Sequence, residues 1–142
     1  MFCSNVESIE HLFFSCSVAR YVWSVMRCAF MLKSIPIGFY DLPRWLETFR
    51  VEDRFLILTG VASLIWAIWK TRNNACFNRI NPQDPTFIIF MMSYLISYWA
   101  GLQRPNLRKT QCKGASLLVL VATEVFHRKQ GSGPIVLRLA DS

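Results

Sequence analysis

Hydrophobic positions in this chain recur mostly with the period of a helix rather than a strand. Val18, Val22, Val25, Met26 and Ala29 follow Ser17 at i, i+4, i+7, i+8 and i+11, which puts them on one helical face with Ser17 as its N-cap. Ser34-Ile35-Pro36-Ile37-Gly38 breaks the pattern, and Asp41-Leu42-Pro43 opens a short helix carrying Trp45, Leu46 and Phe49. The longest helical pattern covers residues 52–78. Within it Leu58, Ala62, Ile65, Trp69 and Cys76 fall on one stripe, expected to face the core. The Asn81-Pro82-Gln83-Asp84-Pro85 segment ends that helix, because proline lacks an N–H and pushes the residue before it out of helical space. Residues 86–102 form a further apolar helix, Pro105 bounds the loop after it, and residues 114–128 form the last helix, with Glu124 and His127 on its polar side. Residues 130–134 read as a turn or linker, and residues 135–139 as a short strand or an unanchored end. Strand signals are few, so the expected architecture is all-α, a bundle of about four to five helices after a small N-terminal segment. Residues 1–30 hold that segment and the first helix, 31–129 the helical region and 130–142 the tail, together one domain.

Composition sharpens this picture. Apolar residues make up 53% of the 142 and charged ones 18%, against roughly 25% charged in an average soluble domain, so uncovered apolar surface is expected. Two aromatic-rich, uncharged stretches, residues 55–69 and 87–102, make a membrane-associated helical hairpin the alternative reading, although each falls short of the roughly 20 apolar residues that span a bilayer.

A net charge of +7 and a pI near 9.5 favour acidic partners, RNA or DNA before an anionic membrane. The cations are dispersed. Arg104, Arg108, Lys109 and Lys113 form the densest run, followed by Lys70, Arg72 and Arg79. Trp66 and Trp69 precede Lys70, Arg72 and Asn73, an aromatic and basic combination suited to stacking on bases and meeting phosphates. The helical stripe assigns Trp69 to the core, which leaves Lys70, Arg72 and Asn73 as the candidate nucleic-acid contacts at the exposed end of the helix. The five cysteines follow a start with no basic leader, and Glu7 and Glu10 stand where a signal peptide would be apolar. Reduced thiols in nucleus or cytoplasm are therefore expected, with Cys28 and Cys76 as small buried hydrophobes.

The chemistry-bearing cluster is N-terminal. Cys3, His11 and Cys16 form a C-x7-H-x4-C array, three soft ligands suited to zinc, whose closed structural sites take four. A Cys-x2-Cys start usually supplies two of these, and counting back three positions from Cys3 passes Met1, so the usual first cysteine is expected to be missing and water, Cys28 or a second chain's thiol to complete the tetrahedron.

The run from Cys3 to Cys16, with Leu12-Phe13-Phe14 after the histidine and then Ala19 and Trp23, resembles the zinc-binding region downstream of the reverse transcriptase in plant non-LTR (LINE-type) retroelements. Its pattern there is C-x2-C-x7-H-x4-C, with a hydrophobic triplet after the histidine and a tryptophan after the last cysteine. The segment Trp66-Ala67-Ile68-Trp69-Lys70-Thr71-Arg72-Asn73-Asn74-Ala75-Cys76-Phe77 resembles the W-x2-W-K-x-R-N-x3-F stretch of the same family. The resemblance covers about the first 80 residues, departs from the pattern at the first cysteine, and implies an N-terminally truncated zinc knuckle that helps bind template RNA or target DNA.

Enzymatic readings lack their parts. The nine acidic residues stand singly except for Glu52-Asp53, so neither a two-metal polymerase site nor a ribonuclease H carboxylate set can be assembled, and there is no glycine-rich phosphate loop or G-x-S-x-G elbow. The expectation is a protein without catalytic activity.

Overall fold

The computed structural model describes residues 8–129 and 131, and among them the fold is all-helical, with no strand. A π-helical turn, His11–Ser15, leads into α1 (Ser17–Ala29), α2 (Leu42–Glu47), α3 (Val51–Phe77), α4 (Thr86–Ala100) and α5 (Pro105–Lys129). Cys3 and the tail from 132 onward lie outside the described residues.

The expected face of α1 is the buried one: Val18, Val22, Val25, Met26 and Ala29 are joined there by Ala19 and Trp23. Its cap differs from expectation. Cys16, not Ser17, holds the extended N-cap conformation, and its sulfur accepts the Ala19 N–H at 3.4 Å. At the other end Phe30 and Met31 close a Schellman-type stop, with the Leu32 N–H reaching back to the Arg27 carbonyl at 2.9 Å and Met31 in the left-handed region at φ 55°. Arg79 is likewise left-handed at φ 55° after α3, where the Ile80 N–H donates to the Asn74 carbonyl, six residues back, at 3.1 Å.

Pro105 starts a helix rather than bounding a loop. α5 begins nine residues earlier than the sequence suggests, because proline is well suited to the first helical turn and the Arg104 carbonyl accepts the Arg108 N–H at 2.9 Å.

α4 lies between α3 and α5. Ile88, Ile89, Met92 and Ile96 of α4 meet Val61, Leu64 and Ile68 of α3 and Leu118 and Ala122 of α5 in one fully or almost fully buried core. Three arginines serve the chain turns. Arg27 donates to the carbonyls of Leu32 and Lys33, Arg54 to those of Phe49 and Glu47, and Arg108 to those of Ala100, Gly101 and Gln103. The densest basic run of the sequence thus gives up Arg108 to capping α4.

The longest helix reverses an expectation. Leu58, Ala62, Trp66 and Trp69 of α3 face outward, while Ile57, Gly60, Val61, Leu64, Ala67, Ile68 and Thr71 face α4 and α1. Both faces of α3 carry apolar residues, so helical spacing alone marks two stripes, and packing chooses between them. Cys76 goes outward with the first stripe and Cys28 is exposed as well, which corrects the reading of these two as buried hydrophobes; Cys112 is also exposed.

Candidate metal and nucleic-acid site

Ser8 opens the N-terminal segment by accepting the His11 N–H at 3.1 Å, the N-cap bond of a first helical turn. The chain then widens. Cys16 N–H reaches the His11 carbonyl at 2.8 Å, five residues back, so the two candidate ligands bracket one π-helical turn. Turns of this kind are uncommon and concentrate at functional positions.

Aromatic packing holds the turn against the helices. Phe13 and Phe14 are buried, Phe14 stacks on Trp23 with ring centroids 5.7 Å apart, and both phenylalanines meet Phe39 edge-on at 5.8 and 4.9 Å. Trp23, fully buried, donates its indole N–H to the Phe13 carbonyl at 2.9 Å, and Trp45 stands edge-on to it at 6.1 Å. The hydrophobic triplet and the tryptophan that follow the ligands in sequence are therefore the parts that dock the turn onto α1. Glu10 fastens the same segment to the loop before α2, its carboxylate accepting the Phe39 N–H at 3.3 Å. Gly38 lies next to this contact, and a Cβ there would push the Glu10 carboxylate aside.

His11 Nε2 is buried and, among the described residues, has no hydrogen-bond partner. A buried imidazole nitrogen left unpaired is unfavourable by roughly 1–3 kcal/mol, so the position suits a nitrogen that binds something. Cys16 is 2% exposed, and its thiol also donates to the Leu12 carbonyl at 3.5 Å. A thiolate ligand would release that contact and keep the one from the Ala19 N–H. These two residues fit zinc in donor type and burial. Cys3, the third expected ligand, lies outside the described residues, and among the described ones no three His, Cys, Asp or Glu side chains come together as a metal-binding group. Cys28 cannot complete the set, because twelve residues of helix separate it from Cys16, about 18 Å along the axis.

The second candidate site is at the C-terminal half of α3. Trp66 and Trp69 are 48% and 44% exposed with ring centroids 5.1 Å apart, so Trp69 is not the core residue its spacing suggested. Lys70 is exposed and Asn73 half-buried, and at i+4 and i+7 from Trp66 both share its side of the helix. Arg72, half-buried, is two residues from Lys70 and therefore points about 200° around the helix from it. The fold joins Lys70 and Asn73 to the tryptophan pair and sets Arg72 apart. Sequence spacing held this signal: Trp66, Trp69, Lys70 and Asn73 already form an i, i+3, i+4, i+7 set.

No helix among the described residues is long and apolar enough to cross a membrane. Comparison of the chain with protein-family models, with curated proteins and with solved structures gave no match.

Proposed function

We propose that this chain is a non-catalytic, zinc-binding part of a retroelement reverse-transcriptase protein of the plant LINE type it resembles, and that it contacts RNA or DNA. The observation that carries the zinc reading is the buried, unpartnered Nε2 of His11 one π-helical turn before the buried thiol of Cys16. With Cys3, these residues would hold the ion. A zinc ion there would play a structural role, at a turn that Phe13, Phe14 and Trp23 already hold in place. Nucleic-acid contact falls to Lys70 and Asn73, with Arg72 reaching a separate phosphate, and is supported by the net charge of +7.

Native mass spectrometry of the purified chain, with His11→Ala and Cys16→Ala variants, tests the zinc reading. One zinc per chain, lost in both variants while the helical circular dichroism persists, is the expected result. A wild-type chain that carries no zinc under zinc-replete conditions refutes it. Lys70→Ala should then weaken oligonucleotide binding about equally across sequences and flatten its salt dependence by about one charge.

A further inference from the structure

The outward stripes of α3 and α4 form a single aromatic surface. Leu58, Trp66 and Trp69 on α3 and Tyr94 and Tyr98 on α4 are each between 44% and 68% exposed. They meet where Trp66, Tyr94, Leu95, Tyr98 and Trp99 line an open cleft of about 330 Å³. Tyr94 and Tyr98 stack at 6.3 Å on one side of it, and the Trp66–Trp69 pair stands on the other.

We propose that this surface is a self-association face, on which a second copy of the chain packs by two-fold symmetry. Area and charge favour a second copy. The five named side chains leave roughly 600 Å² exposed, taking aromatic residues at about 150–250 Å² each, most of the roughly 800 Å² per partner of a standard stable interface. From Phe55 to Trp69, and again from Thr86 to Leu102, no residue is charged, so a dimer would desolvate no ion in the centre of the patch. A nucleic-acid strand laid across α4 would find no cation there to meet its phosphates. Lys70 stays at the rim.

Shape points the same way. An interface closed by a two-fold axis must be self-complementary, and here a half-exposed indole, Trp69, stands 5.1 Å ring to ring from Trp66, which lines a cleft large enough for one aromatic side chain. The symmetry operation seats each Trp69 in the partner's cleft. Tryptophan and tyrosine in such positions carry most of the energy of an interface. This inference does not depend on zinc.

Sedimentation velocity of the full chain over a wide concentration range tests it, with Trp69→Lys and Tyr94→Lys inside the patch and Leu120→Lys, an exposed leucine on α5 outside it, as control. The expected result is a concentration-dependent species of twice the 16.5 kDa chain mass in the wild type and the control, with dimerisation weakened about thirtyfold or more in each patch variant and the circular dichroism unchanged. A wild-type chain that stays monomeric at all concentrations overturns the proposal. A dimer unaffected by either patch substitution also overturns it. So does a monomer that sediments with phosphatidylcholine–phosphatidylserine vesicles, or binds a single-stranded oligonucleotide, through Tyr94 and Trp69.

Discussion

Replacing Trp23 by phenylalanine tests whether one buried indole fastens the ligand-bearing turn to the helices. The substitution removes the donor that reaches the Phe13 carbonyl at 2.9 Å, in a place where Phe13 is only 8% exposed. A buried acceptor stripped of its donor costs about 1–3 kcal/mol. It also removes one fused ring from a fully buried position between Phe14 and Trp45, where the residual cavity adds about 1 kcal/mol. Together these predict a loss of about 2–4 kcal/mol. The same Trp→Phe change at Trp66, 48% exposed, should cost within about 0.5 kcal/mol in the monomer, since it neither opens a cavity nor strands a partner. Urea unfolding followed by circular dichroism, at protein concentrations low enough to exclude association and without added zinc, reads both numbers at unchanged slope. A loss below about 1 kcal/mol at Trp23, or equal losses at the two sites, would show that the indole hydrogen bond does not hold the turn.

Glycine at Met31 or Arg79, both in the left-handed region at φ 55° and exposed, should stabilise the chain by about 0.5–1 kcal/mol each, read as a rise in melting temperature; no rise would mean that side-chain contacts, not backbone strain, govern these stops. Asp84 has its carboxyl held below its ordinary value of 3.8, chiefly by the Thr86 side-chain hydroxyl, against a raising effect of burial, and less by the Thr86 N–H it accepts at 2.7 Å and the charge of Lys129. A group ionised more readily in the folded than in the unfolded chain contributes stability that is present above its unfolded value and lost as pH falls through the folded one. Stability should therefore drop below about pH 3.8 by an increment that Asp84→Asn removes, and an unchanged acid profile in that variant would exclude Asp84 as its source.

Local pattern carried much of the fold. The inward face of α1, the break before α2 and the breaks after α3 follow from apolar spacing and from prolines whose effects are confined to a few residues. Two misreadings have local causes. Pro105 was open to two meanings, a helix start and a loop boundary, and only the hydrogen bond from Arg108 N–H to the Arg104 carbonyl separates them. Cysteine could not be placed by hydrophobicity, since Cys28, Cys76 and Cys112 sit on exposed helix faces while Cys16 is buried at a helix cap.

The candidate sites divide the same way. Donor types and spacing named His11 and Cys16 as candidate ligands without structure, because metal chemistry is written in residue type. The burial of Nε2 without a partner, the π-helical turn between the two and the docking of that turn by Trp23 arise from contacts between distant segments. Likewise, the sequence by itself determined that α3 would be a long helix rich in apolar residues, because propensity and the absence of proline act locally. Only the tertiary structure decided which of its stripes would be core. Burial is a property of neighbours: α4 covered Val61, Leu64 and Ile68, and with no further helix described to cover the other side, Trp66 and Trp69 were left facing outward.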